Sequence, residues 1–302
     1  MTETYLAQTV TSDPGAGAAR VAALPDDLAA LQAAATQLVF HYRGGGDFAE
    51  HGIDYPSRIG EVDLRYADDM FARLGELSEA PLDAPRTSAE KLVGCCRDYT
   101  LLLVSMARTH GIPARSRVGF AGYFVPGWWV DHVVAEIWVA AESRWRLVEA
   151  QLPHGFPDAV TGQPLEVLDV PRDRFLTGPD AWQQVRSGAL DPEKFVVWPD
   201  LHEPPLRSWP YLRHNLVVDL AALGGRDMVL WDDWGILETP YSADAAPLLD
   251  EIAASTVDPA AVDREIVAGW LRHDAVRIPQ TVTSYSPAKG MGPVTLRPGV
   301  AT

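Results

Sequence analysis

The sequence contains two adjacent cysteines, Cys95 and Cys96, in the stretch VGCCRDYTLLLVSMARTHGIPAR. They are the only cysteines in the 302 residues. A disulfide between neighbouring residues at a helix start would be strained, and two abutting cysteines lack the spaced partners of a zinc site. Two interpretations of the cysteines therefore remain: they are side chains packed in the core, or one of them is a nucleophile.

Cys96 lies where a helical pattern begins, and this position favours a reactive thiol. The positive end of a helix dipole lowers the pKa of a cysteine there and increases its thiolate fraction. Cys95 would lie about 100° further around the helix axis. We therefore predict that Cys95 is a small buried side chain and does not share the site of Cys96.

A thiol nucleophile needs a histidine that takes its proton and a third group that holds the imidazole. Among the eight histidines, only His132 begins a strand-like segment soon after the cysteine helix. On the returning strand Glu149 shares the face of His132, at a diagonal position where Cα atoms are about 7–8 Å apart. Cys96, His132 and Glu149 therefore form a coherent candidate triad. The alternatives are a hydrogen-bonded core histidine and a solvent-exposed strand glutamate.

Helices and strands in a simple order position these residues. Apolar spacing predicts helices over 25–42, 64–77 and 96–110, and Gly111 and Pro113 end the third one. After that helix the apolar period changes from 3.6 to 2 residues. The segments ARSRVGFAGYF, DHVVAEIWV and RWRLVEAQL then read as three successive strands, the last two joined by a turn at AAES.

These features together resemble the transglutaminase-like superfamily. They are a G-x-C-x-D helix start, a G-I-P-A-R turn, a histidine that begins a strand, and a tryptophan shortly before the third polar residue. The resemblance covers residues 85–152. It implies that Cys96 is the nucleophile and His132 the base, and that Glu149 occupies a position usually held by aspartate. Ala150 stands where a proline commonly follows.

The resemblance also implies a fold class, and the sequence pattern on either side of the match suggests a division of the chain. The class is α+β, with a papain-like core in which the cysteine helix packs against an antiparallel sheet. We expect this catalytic core to cover residues 24–155, after a loosely ordered segment over 1–23. Residues 156–302 read as a mainly helical extension, rich in tryptophan and proline. Its short helices would be unstable alone, so we expect it to pack on the core.

Three aromatic residues near the predicted catalytic strand, Tyr123, Trp128 and Trp129, are candidates for the wall of a substrate cleft. The alternative is that they are ordinary core residues, which is the commoner role of aromatic clusters. Asp98 and Arg115 are predicted to stabilise the helix start and the turn rather than to bind substrate.

Composition and charge exclude several classes of partner. The formal net charge is -16, which repels nucleic acid and anionic membrane surfaces. The longest apolar run, at 101–107, is far shorter than a bilayer span. The first twenty residues lack the basic and apolar regions of a signal peptide. We therefore expect a soluble cytoplasmic protein with no nucleic-acid or membrane partner.

The expected activity is cysteine acyl chemistry on an amide or ester group of a small molecule or peptide. The thiol would form a thioester, which water would hydrolyse or an amine would convert to an amide. Hydrolysis or small-molecule amide transfer is favoured over protein crosslinking, because the chain lacks the β-sandwich additions of large crosslinking enzymes. No metal or organic cofactor is expected. The alternative is a catalytically weak or inactive binding module of the same fold.

Overall fold

The computed structural model describes residues 2–298, which combine helices with antiparallel sheet. The predicted mixture of helix and sheet is confirmed. No helix within this described range is both long and apolar enough to cross a membrane. The α-helices are α1 Ala18–Ala22, α2 Leu28–Leu38, α3 Tyr55–Arg58, α4 Ala67–Leu77, α5 Cys96–Thr109, α6 Gly178–Arg186, α7 Ser208–Leu223, α8 Ala246–Thr256 and α9 Arg264–Trp270. The strands are β1 Val39–His41, β2 Leu92–Gly94, β3 Ala114–Ala121, β4 Trp129–Val139, β5 Arg144–Val148, β6 Phe175–Thr177, β7 Phe195–Val196, β8 Asp232–Asp233, β9 Thr281–Ser286 and β10 Gly290–Thr295.

A five-stranded sheet has the order β5-β4-β3-β6, and these neighbours are antiparallel. β7 joins the first two residues of β4 in parallel. In the β3–β4 ladder Gly119 lies opposite His132, and in the β4–β5 ladder Val148 lies opposite Ala135. Because β5 ends at Val148, the edge of β4 beside His132 is not covered by β5.

The predicted helix over 25–42 is shorter in the structure, because its last residues form a strand instead. α2 is capped by the Asp27 carboxylate, which accepts two backbone N–H groups. At Val39 the backbone becomes extended, with φ -121° and ψ 146°, and β1 pairs in parallel with β2. This pairing places His41 opposite Gly94, which directly precedes the two cysteines.

α5 begins at Cys96 because a side chain from its own first turn caps it. The Asp98 carboxylate accepts a hydrogen bond from the Cys95 N–H at 2.8 Å, which satisfies one of the donors at the helix start. At the other end Gly111 has a φ of 72°, the left-handed conformation that suits the residue after a helix. Leucines 101–103 lie fully buried between these ends, so packing holds the helix in the core.

The C-terminal part of the chain packs on the five-stranded sheet through α7. The Asp219 carboxylate accepts two hydrogen bonds from the Arg117 guanidinium, at 3.0 and 2.9 Å, and one from the Val118 N–H at 2.8 Å. Arg117 also pairs with Glu136 at 3.1 Å, and Arg115 pairs with the same carboxylate at 2.7 Å. These groups are buried, so α7, β3 and β4 form one electrostatic unit.

Both ends of the described chain contact this core. Near the N-terminus Tyr5 and Val21 are buried, and the Gln8 amide donates to a carbonyl of α5 at 2.9 Å. Near the C-terminus β8, β9 and β10 form a second antiparallel sheet. The Arg297 N–H then donates to the Tyr66 hydroxyl at 2.6 Å.

Candidate active site

The first turn of α5 lies along the free edge of β4, directly beside His132. The Val133 N–H donates a hydrogen bond to the Cys96 sulfur, and the Thr100 hydroxyl donates to the Val133 carbonyl at 2.9 Å. The backbone N–H and C=O of Val133 therefore both bond to side chains in the first turns of α5. Cys96 is only 5% exposed. This arrangement brings the predicted nucleophile to the residue that follows His132 in the chain.

His132 and Glu149 form a buried hydrogen-bonded pair. His132 Nε2 lies 2.8 Å from Glu149 Oε2, and the two side chains are 2% and 0% exposed. Glu149 directly follows Val148, the last residue of β5, and β5 is the strand paired with β4, which carries His132. The structure thus brings these two candidate residues together, beside the helix that begins at the third.

The Glu149 carboxylate is held by further donors. Its Oε2 accepts the Tyr123 hydroxyl at 2.5 Å, and its Oε1 accepts the Gln151 N–H at 2.9 Å. Burial alone would raise the pKa of Glu149, but His132, Tyr123 and Gln151 lower that pKa below its ordinary value. The Gln32 amide also donates to the Glu149 carbonyl at 2.8 Å. Glu149 is therefore an ionised acceptor in a fixed position.

The hydrogen bond to Glu149 determines the tautomer of the imidazole. A carboxylate can only accept, so neutral His132 carries its proton on Nε2 and its lone pair on Nδ1. The ring of Phe124 meets the imidazole edge to face, with centroids 5.0 Å apart and planes at 88°. Phe175 makes a similar contact at 6.4 Å. The packed ring therefore offers Nδ1 as the atom that can take a proton from a thiol.

The Cys96 thiol differs from the sequence-based expectation of a lowered pKa. A hydrogen bond with Cys95 and burial raise the pKa of Cys96 well above its ordinary value, and the charge of Asp131 adds to this effect. The two sulfurs meet because Cys95 precedes the helix in an extended conformation, with φ -127° and ψ -176°. The helical angle between successive residues therefore does not separate them. A pKa raised in this way favours the protonated thiol, so a reaction at this sulfur would need a base that removes the proton.

Both cysteines are free thiols. Among residues 2–298, no group of three or more His, Cys, Asp or Glu side chains is arranged to hold a metal ion.

The three aromatic candidates lie in different surroundings. Tyr123 is fully buried behind the carboxylate to which it donates. Trp129 is half-buried and stacks on Phe195, with centroids 6.0 Å apart and planes at 8°. Trp128 is also half-buried, and the Lys194 ammonium lies 4.8 Å from the centre of its ring. Contact with a substrate stays a prediction for all three.

Sequence reasoning missed a polar network on the residue before the histidine. Asp131 accepts hydrogen bonds from the Tyr211 hydroxyl and the Asn215 amide, both at 2.9 Å. Asn215 also donates to the Gly119 carbonyl at 2.9 Å, opposite His132 in the ladder. Burial raises the pKa of Asp131 despite these donors. The only sequence signal was an acidic residue before the strand histidine, because its partners lie 80 and 84 positions further along.

Comparison with known families gives a match over the same part of the chain. Residues 71–150 match the family model described as the transglutaminase-like superfamily. This segment contains α5, β3, β4 and β5, and with them Cys96, His132 and Glu149. The resemblance inferred from the sequence is therefore confirmed, and the segment is transglutaminase-like. The family match supports cysteine-based catalysis as a general class.

A solved structure from Cytophaga hutchinsonii, described as a "putative cysteine protease", is similar to this chain. The two are 14% identical, and the match covers 58% of this chain and 44% of that one, with a TM-score of 0.34. The chain therefore spans less than half the length of that protein. No protein with a curated function matches this sequence significantly.

Proposed function

We propose that this protein is an enzyme of cysteine acyl chemistry, in which Cys96 attacks the carbonyl carbon of an amide or ester. The observation that carries the proposal is the buried pair of His132 and Glu149, at 2.8 Å, next to the first turn of α5. Nucleophilic catalysis by cysteine requires a base with an orienting group near the thiol, and here the histidine–glutamate pair lies beside the helix that begins with Cys96.

The proposed reaction follows from the hydrogen-bond pattern. His132 Nδ1 accepts the thiol proton while the sulfur of Cys96 adds to the carbonyl carbon, and Glu149 stabilises the imidazolium through Nε2. The Cys96 backbone N–H is a natural donor to the oxygen that becomes negative. The imidazolium then gives its proton to the leaving amine or alcohol, and a thioester forms. Water or an amine attacks this thioester, gives a proton to His132, and releases an acid or a new amide.

The substrate that we propose is a small molecule or peptide with an amide or ester group. Hydrolysis or small-molecule amide transfer completes the reaction in this proposal. The catalytic part is a papain-like core over residues 24–155, with the α5 helix on its antiparallel sheet. Residues 156–302 are then an extension, which adds β6 and β7 to the sheet of this core and packs α7 on β3.

A comparison of the two cysteines tests the proposal. The protein is incubated with p-nitrophenyl butyrate, an activated ester, and the acylated residue is located by peptide mass spectrometry. We expect a butyryl thioester on Cys96, none in Cys96→Ala, and nearly unchanged acylation in Cys95→Ala. Thermal unfolding of each variant shows whether it is folded. If acylation persisted in Cys96→Ala and disappeared in Cys95→Ala, Cys95 and not Cys96 would be the nucleophile.

A second candidate function is a catalytically weak or inactive binding module of the same fold. The observation in its favour is the thiol itself, because Cys95 and burial raise the pKa of Cys96. Iodoacetamide distinguishes the two functions. The enzyme requires fast alkylation of Cys96 that depends on His132, whereas equally slow alkylation of both cysteines would favour the binding module.

A further inference from the structure

Asp131 lies beside the candidate nucleophile but has no part in the reaction described above. It belongs to β4, two residues before Val133, whose N–H donates to the Cys96 sulfur. Residues two positions apart on a strand share one face, and their Cα atoms are about 7 Å apart. The Asp131 side chain is therefore on the Val133 face of β4, close to the first turns of α5, where the Thr100 hydroxyl donates to the Val133 carbonyl at 2.9 Å.

The side chains around Asp131 also place it near the thiol. Tyr211 donates its hydroxyl to Asp131 at 2.9 Å. The Tyr211 ring meets Phe120, the ladder partner of Asp131, edge to face, with centroids 6.1 Å apart. Tyr211 and Phe120 belong to the same cluster of buried side chains as Cys96 and Val133. The carboxylate and the sulfur therefore border one region of the fold.

The Asp131 carboxylate has hydrogen-bond donors but no counter-ion. Its oxygens accept from the Tyr211 hydroxyl and the Asn215 amide, and both donors are neutral. Over residues 2–298, which the structure describes, Asp131 forms no ion pair, whereas the buried Glu136 is paired with arginines. Burial raises the pKa of Asp131 in spite of its donors, as expected for a charge that is not fully compensated. A cation would supply the missing counter-charge.

A substrate group can reach this carboxylate. Asp131 is half-buried, whereas Glu149 is 0% exposed and already holds the imidazole. A carboxylate has about four lone-pair positions, so the two donors leave others free for an ammonium group. The formal charge of -16 also attracts cations to the chain.

The position of Asp131 on the strand determines which part of the substrate it meets. His132 directly follows Asp131, so their side chains point to opposite faces of β4. In the proposed reaction the leaving group lies at His132, because the imidazolium gives it a proton. The group at Asp131 is therefore on the acyl side of the carbonyl carbon that Cys96 attacks.

We propose that Asp131 binds a positively charged group on the acyl part of the substrate. This assignment rests on the proposed function of Cys96. The substrate class is then an amide or ester of an amino acid, or a peptide with a free N-terminus. An α-ammonium group suits the short distance between Asp131 and the thiol, because it is carried by the carbon next to the carbonyl. No covalent bond changes at Asp131, which holds the substrate through charge and hydrogen bonds.

Two esters that differ only in an α-ammonium group test this assignment. They are the p-nitrophenyl esters of 2-aminobutyrate and butyrate, and the rate of Cys96 acylation is measured with each at a pH below the pKa of the amino group. The same esters react with N-acetylcysteine, which gives the ratio of the two rates for a thiol without a binding site. We expect the ratio for the protein to exceed that for N-acetylcysteine by about 10- to 100-fold, the effect of a hydrogen bond to a charged group.

Asp131→Asn keeps the size of the side chain and removes its charge. It should reduce the ratio of the two acylation rates to nearly that of N-acetylcysteine. A merely structural effect on the site would slow both esters alike and leave the ratio unchanged. Asp83→Asn, which makes the same change at an exposed position, is the matched control and should preserve the ratio. Thermal unfolding shows whether each variant is folded.

A ratio in the native protein equal to that of N-acetylcysteine would overturn the role of Asp131 and leave the function of Cys96 standing. A raised ratio that persists in folded Asp131→Asn would also overturn it, because another group would then bind the ammonium. If Asp131→Asn does not fold, the comparison of the native protein with N-acetylcysteine decides. Absence of any acyl adduct on Cys96 with either ester would instead refute the proposed function, and this assignment with it.

Discussion

Replacement of Glu149 by glutamine would remove the charge that holds the imidazole while it preserves the size of the side chain. The Oε2 position accepts both His132 Nε2–H and the Tyr123 hydroxyl, whereas Oε1 accepts the Gln151 N–H. A carboxylate serves all three donors, but an amide has only one oxygen. In Glu149→Gln one orientation therefore sets an NH₂ group against Gln151. The other orientation sets the NH₂ group against His132 Nε2. That nitrogen must then accept, so the imidazole takes the opposite tautomer, with its proton on Nδ1.

The size of the effect follows from the charge pair in the reacting state. An imidazolium and a carboxylate with centres about 4 Å apart attract by about 4 kcal/mol at an effective dielectric constant of about 20. At about 1.36 kcal/mol for each factor of ten, loss of this attraction slows acylation by about 10³-fold. We expect the change in turnover and not in substrate affinity, because the imidazolium exists only once the thiol has been deprotonated.

The assay is the acylation rate of Cys96 with p-nitrophenyl butyrate, followed by stopped-flow release of nitrophenol. Glu251→Gln, which changes an exposed glutamate on α8, serves as the control for the loss of one negative charge. Thermal unfolding confirms that both variants are folded. A folded Glu149→Gln protein that acylates within about threefold of the native rate would refute the triad, because the carboxylate would then do no work in the reaction.

Two further predictions concern the neighbours of the triad. Cys95→Ala removes the hydrogen bond that raises the pKa of Cys96. When the rate of Cys96 alkylation by iodoacetamide is measured against pH, its midpoint should therefore move to lower pH. An unchanged or higher midpoint would show that Cys95 does not raise this pKa. Tyr123→Phe removes a hydrogen bond that lowers the pKa of Glu149, so this pKa should rise. In a plot of the acylation rate against pH, the acid limb, where the rate falls as Glu149 is protonated, should then move to higher pH. The same variant should lose about 1–2 kcal/mol of unfolding free energy in urea titration, and an unmoved acid limb would show that Tyr123 does not influence the carboxylate.

The elements around the site could be predicted because their signals are local. Helical spacing over 96–110 corresponds to α5 at Cys96–Thr109, and the change to alternating residues marks the strands that follow. A hairpin also restricts which residues can meet across it, so the contact between His132 and Glu149 was accessible to sequence reasoning. The Gly111 turn is a similar case, because its left-handed backbone favours glycine.

Features that depend on distant partners could not be predicted. Val39 continues the apolar spacing of α2, and it becomes strand only because β2 lies beside it in the folded chain. The contact of Cys95 with Cys96 depends on an extended N-cap residue, which a helical wheel does not represent. The donors to Glu149 and Asp131 come from Gln32 and Tyr211 among others, and nothing in their local sequence indicates this.

The two ion pairs of Arg117 on β3 connect β4, the strand that carries His132, with the C-terminal helix α7. Two buried cations, Arg115 and Arg117, contact two buried anions, Glu136 on β4 and Asp219 on α7, and Glu136 also pairs with the more exposed Arg172. A chain that ended before α7 would keep both guanidinium groups but lose the Asp219 carboxylate. An uncompensated positive charge would then remain buried, which strongly destabilises the folded state. The family match ends at residue 150, yet Arg117 on β3, which pairs with Glu136 on the strand that carries His132, has its second counter-ion on α7, beyond that boundary. Any transfer of this candidate site to another protein, in nature or by design, therefore has to include α7 together with β3 and β4.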